Sequence, residues 1–129
     1  MAIHYRISKR KNNISETSKV NYILQSVSTG EVDIDRLCHE ISSETTLSEA
    51  DIRAVLIALG GKLKEHLGNG KTVSLENIGR FKIGFKSVGK PDQSLLNAKE
   101  VSKFHINYQP TIKLKRWLNS GLELVKEKS

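Results

Sequence analysis

The stretch Ala54-Val55-Leu56-Ile57-Ala58-Leu59 is apolar through more than one helical turn. It sits inside a run whose start and stop are both legible. Ser48 occupies the capping position with Asp51 three residues on, and Leu47 can staple against Ile52. Gly68-Asn69-Gly70 ends the run. Between these signals Ile52, Val55, Leu56, Leu59, Leu63 and Leu67 form one helical stripe. At the level of Ala54 to Leu59 the helix is apolar on every side, so it needs more neighbours than one short preceding helix and a small sheet supply. Gly60-Gly61 follows at once, at about 1 kcal/mol per glycine relative to alanine. Closely packed backbones would offset that cost. The two features together favour a homodimer with interlocked helices, and Val55, Leu56, Ile57 and Leu59 are the interface residues expected from them.

A shorter helix precedes this one. Asp33 can cap it, and Ile34, Leu37, Cys38 and Ile41 follow at helical spacing, with Val32 placed to staple against Leu37. After the long helix the pattern changes to period two. Lys71 to Leu75 reads as a strand, and Asn77-Ile78-Gly79 turns the chain into a second one. There Phe81, Ile83 and Phe85 alternate with Lys82, Gly84 and Lys86, which puts three large apolar side chains on one face and lysines with a glycine on the other. Residues 87–103 are polar and irregular, with one helical turn expected near Ala98. A third strand follows, with Phe104, Ile106 and Tyr108 alternating against His105, Asn107 and Gln109. Pro110 is expected to open a last helix carrying Leu114, Trp117, Leu118, Leu122 and Val125 on one core-facing side. At the other end, Ile3, Tyr5 and Ile7 mark a short strand, Lys9-Arg10-Lys11-Asn12-Asn13 a basic turn, and Val20 to Val27 a second strand that stops at Thr29-Gly30. The fold class is therefore α+β.

Charge is segregated along the chain. Residues 1–30 carry a balance of +4, residues 31–59 a balance of −5 and residues 60–129 a balance of +8, within a net +7. A basic part of this kind points to a polyanionic partner. Aromatics make up only 5% of the residues, which argues against a base- or sugar-stacking platform. The single cysteine, Cys38, excludes an intrachain disulfide and fits a reducing compartment. The N-terminus lacks the apolar run of a signal peptide, and no apolar segment is long enough to cross a bilayer, so a cytoplasmic protein is expected. His4, His39, His66, His105 and Cys38 show no metal-ligand spacing, and no nucleophile–base or paired-carboxylate arrangement points to catalysis. Asn69-Gly70-Lys71-Thr72 is not a phosphate-cradling P-loop. Glu65 stands where the first glycine belongs, and the stretch follows a helix instead of opening one. No enzyme activity, cofactor, metal or small-molecule substrate is expected.

Three segments in order, LSEADIRAVL, VSLENIGRFKIGF and INYQPTIKLKRWL, make the chain from about Val32 to Asn119 resemble the HU and integration host factor family of bacterial DNA-bending proteins. Residues 1–30 are similar to the extra N-terminal strands of a longer, HU-related branch, which divides the chain into a 1–30 strand extension and a 31–129 HU-like domain. The resemblance implies an HU-like fold: a helical base, a three-stranded sheet forming a saddle, and an obligate dimer in a bacterial nucleoid. It implies duplex DNA as partner, bound with little sequence preference, and adds Phe81 and Phe85 to the dimer interface. DNA contacts are then expected from Arg80, Lys82 and Lys86 on the second strand of the sheet and from Lys90, Lys99 and Lys103 in the irregular arm. Lys113 at the last helix is a further candidate, with a second patch at Lys9, Arg10 and Lys11. Gly84 would let the DNA backbone approach closely. The chain departs from the family at the arm, where Gly89-Lys90-Pro91 comes early and lacks the asparagine of the usual Arg-Asn-Pro tip. It departs again at Tyr108-Gln109-Pro110-Thr111-Ile112, where an arginine and a phosphate-binding lysine are replaced. Weaker bending than in an intercalating relative is the expectation. Two rivals are a protein-interaction module that has lost DNA binding and an RNA-binding protein.

Overall fold

A computed structural model describes residues 2–11 and 20–128. Contacts divide the chain into two compact units, one formed by Ile34–Trp117 and the other by the residues up to Asp33 together with those from Leu118 onward.

The Ile34–Trp117 unit begins with α1 (Ile34–Glu44) and α2 (Glu49–Gly68), which pack on each other. Ser48 caps α2, its side chain accepting the Asp51 N–H at 3.1 Å, as the capping pattern requires. The far end closes with paired bonds, from Lys71 N–H to the His66 carbonyl and from Gly70 N–H to the Leu67 carbonyl, each 3.0 Å. That closure needs a left-handed residue, and Gly70 supplies it with φ 79°. Cys38, Ile52 and Leu67 are the buried apolar residues among those described, and all three lie on these two helices. His39, next to Cys38, points the other way, and its Nδ1 lies 2.7 Å from Glu49 Oε1. The centre of α2 is uncovered within the chain, as its all-round apolarity anticipated: Val55 is 59% and Ile57 64% exposed.

Three strands follow in the antiparallel order β3 (Val73–Leu75), β4 (Gly79–Phe85), β5 (Phe104–Gln109). α2 packs against β3 and β4. The ladder between β4 and β5 ends at the pair Phe85 and Phe104. Beyond it the connection holds two 3₁₀ turns, Gln93–Leu95 and Ala98–Glu100, begun by Asp92 and Asn97 side chains that accept the Ser94 and Lys99 N–H groups. α3 (Ile112–Leu118) then starts at Thr111, whose hydroxyl accepts the Leu114 N–H at 3.4 Å and donates to the Glu76 carbonyl at 2.9 Å.

The second unit is a three-stranded sheet in the order β2 (Val20–Val27), β1 (Ala2–Lys11), β6 (Glu123–Lys126), with β1 antiparallel to β2 and parallel to β6. Two expectations are corrected here. The last helix does not run on to Leu122 and Val125. It stops at Leu118, Gly121 turns the chain at φ 109°, and Glu123–Lys126 joins the edge of β1. An apolar spacing that suits a helix face also suits a strand when an open edge offers hydrogen bonds. Lys9-Arg10-Lys11 is not a turn either. These residues continue β1 opposite Tyr22, Asn21 and Val20, because β2 is long enough to pair with them. Asn12 and Asn13, and the Lys11 side chain, lie outside the described residues.

Candidate nucleic-acid interface

The β3-β4-β5 sheet separates two chemistries by register. Arg80 stands opposite Ser74 and Gln109, Lys82 opposite Asn107, and Gly84 opposite His105. Directly opposed residues in an antiparallel ladder project from the same face, so these groups share one surface. Phe81 stands opposite Val73 and Tyr108, Ile83 opposite Ile106, and Phe85 opposite Phe104 on the reverse face. The aromatic pairs touch there: Phe81 and Tyr108 have centroids 5.3 Å apart, and Phe85 meets Phe104 edge-on at 6.1 Å. This face is only partly covered in the chain, with Phe85 57%, Phe104 68% and Ile106 63% exposed.

The cations divide in a telling way. Among the described residues, ion pairs join Arg36 to Glu40, Arg53 to Asp35, Lys62 to Glu65 and Arg6 to Glu127, and the His39 ring is hydrogen-bonded to Glu49. All lie on α1, α2 or the N-terminal sheet unit. Arg80, Lys82, Lys86, Lys90, Lys99 and Lys103 enter none of them. Arg36, Arg53 and Lys62 on the two helices are each paired with a carboxylate, while the sheet leaves its cations to solvent. An open cleft of about 550 Å³ runs beside Thr72, Arg80, Lys82, Asn107 and Gln109, and another of about 470 Å³ is lined by Glu76, Arg80, Gln109, Thr111, Lys113 and Lys115.

The residues singled out in the sequence fall in four places. Arg80, Lys82 and Lys86 come together on and just beyond β4, and Lys90, Lys99 and Lys103 lie along the connection to β5. Lys113 reaches back to the turn before β4, its Nζ 3.2 Å from Asn77 Oδ1. Lys9 and Arg10 belong to the other unit, where Lys9 Nζ sits 5.9 Å from the centroid of the Tyr22 ring. Of the expected interface residues, Val55, Ile57 and Phe85 are exposed, whereas Leu56, Leu59 and Phe81 are half-buried. Trp117, expected in a core, is 46% exposed.

Gly84 does not leave an open approach. A Cβ there would lie 2.7 Å from His105 Nε2 and 3.0 Å from Asn107 Nδ2, so those side chains fill the space above it. His105, Asn107 and Gln109 are polar additions to the face that a search for lysines passes over. The alternation of Phe104, Ile106 and Tyr108 is the signal that places them there, read with the same period as β4. Among the described residues no cluster of three metal-ligating side chains occurs, and no helix is long and apolar enough to cross a membrane.

Among the described residues, three α-helices and two three-stranded sheets, with α2 packed against β3 and β4, define a mixed α+β protein of HU type. The chain belongs to the HU-HIG family, described as an HU domain fused to wHTH, Ig, or Glycine-rich motif, whose model matches residues 1–126. Its fold is similar to that of a "Putative bacterial DNA binding protein" from Bacteroides vulgatus ATCC 8482, with a TM-score of 0.68 and 15% identity. That similarity covers 98% of this chain and 49% of the other, so this chain spans about half the other's length. No curated protein matches the sequence.

Proposed function

We propose that this chain is one subunit of a homodimeric architectural protein that binds duplex DNA with little regard to sequence. The observation that carries the reading is the two-faced β3-β4-β5 sheet, with Arg80, Lys82 and Lys86 free of carboxylate partners on one side and exposed aromatic and aliphatic side chains on the other. The cationic side suits phosphates, which supply affinity without base identity. The apolar side suits a second copy, since covering each such side chain contributes about 1.5–3 kcal/mol. Membership of an HU family and the name of the similar B. vulgatus protein support the same partner. The irregular connection with its two 3₁₀ turns, in place of a paired two-stranded arm, supports modest bending.

The test is salt titration of binding to two unrelated duplexes. Each neutralised phosphate contributes about 0.9 to the slope of log affinity against log salt. Changing Lys82 and Lys86 together to Gln should flatten that slope by up to roughly 3.6 per dimer, equally on both duplexes. Circular dichroism checks that the variant stays folded. An unchanged slope would place the DNA surface elsewhere.

A second reading, a protein-interaction module, draws on the N-terminal sheet. There Ile7, Tyr22, Leu24 and Leu124 are all more than half exposed. A chain that binds neither duplex DNA, duplex RNA nor single strands at one salt concentration would favour it.

A further inference from the structure

We propose that His105 is a proton-dependent contact for the DNA phosphate backbone. The proposal deepens the DNA-binding reading and rests on it. The imidazole is held across Gly84, with its Nε2 2.7 Å from the point a Cβ there would occupy and the Asn107 amide beside it. Glycine is what makes room for the ring, so the ring lies against the sheet. Register places it on the face that carries Lys82 and Arg80, with Lys86 and Lys103 flanking the end of the ladder.

By register Arg80 and Lys82 from β4 and Asn107 and Gln109 from β5 share the face of His105. Lys86 and Lys103 lie just beyond the ladder, where they line a cleft together with Glu100 of the connection. No carboxylate stands on these strands, and His105 makes no ion pair or hydrogen bond among the described residues. His39 contrasts with it, since its ring is already paired with Glu49. A proton on His105 therefore adds positive charge to a face whose strand residues offer no counter-charge. A phosphate is the ligand that supplies one. Imidazole is the side chain whose charge normally changes between pH 5 and 8. The protonated form binds the polyanion better, so affinity should rise as pH falls, with protons taken up on binding.

The experiment is duplex binding by the intact protein across a salt series at pH 5.5 and pH 8.0, for the native chain, His105→Gln and His105→Arg. The native slope of log affinity against log salt should steepen at pH 5.5 by up to about 1.8 per dimer, 0.9 for each imidazolium. His105→Gln should lose that increment and match the native slope at pH 8.0. His105→Arg should show the steeper slope at both pH values. Circular dichroism at each pH controls for unfolding. Equal pH dependence in the native and Gln proteins would overturn the role of His105 while leaving DNA binding intact. Absence of binding at both pH values would overturn the DNA reading itself.

Discussion

Single atoms decide the fit around the glycine that opens β4. Gly79 is buried, and a Cβ on it would run into the Tyr108 ring and lie 2.7 Å from the Gln109 carbonyl oxygen. The obstacle includes backbone, which cannot swing aside as a long side chain does. Tyr108 is itself pinned, its hydroxyl donating to the Ile78 carbonyl at 2.8 Å. Gly79→Ala should therefore cost about 1–3 kcal/mol, read as a lower midpoint in denaturant. Gly89→Ala is the matched control, because nothing lies within 4 Å of its added Cβ. Equal effects at the two sites would refute the close approach.

At the scale of elements, the terminal segment matters most. β6 borrows the open edge of β1, with Ile3 opposite Leu124 and His4 opposite Val125, and the Glu127 N–H adds a bond of 2.9 Å to the Tyr5 carbonyl. Arg6 and Glu127 close the same end at 3.5 Å, an exposed pair worth little by itself. The backbone ladder is the stronger tie. Leu124→Pro removes an N–H and forces a ring into a strand. Hydrogen exchange should then speed up in β1 while amides in α2 keep their protection. Unaltered exchange in β1 would show that β6 contributes nothing to holding it.

For the whole molecule, the question is what covers α2. Val55 and Ile57 are largely exposed, and a Cβ added at Gly60 or Gly61 would meet nothing within 4 Å of its own chain. Two glycines in a helix interior are a local cost that this chain alone does not offset. A second copy packed against them would offset it. Sedimentation at micromolar concentration should give twice the 14.5 kDa chain mass. Ile57→Glu should dissociate or unfold the protein, because the dimer would bury an unpaired charge. A cooperative melt from a native monomer of 14.5 kDa would rule the dimer out.

Periodicity and capping were enough to read both long helices, the stop of the second at Gly68-Asn69-Gly70 and the alternation that sorts Phe81, Ile83 and Phe85 from Lys82. Those are local signals: each depends on residues a turn or a strand apart, and the chain carries them wherever it folds. Two matters lay beyond local reach. The spacing of Leu122 and Val125 fits a helix face, and only the free edge of β1, more than a hundred residues away, drew Glu123–Lys126 into a sheet. Gly84 looked like an open approach for DNA until the register of β5 set His105 and Asn107 above it. Strand pairing brings together residues distant in sequence, and neither the choice of partner nor the register is encoded within either strand alone. Those contacts are decided by the tertiary structure.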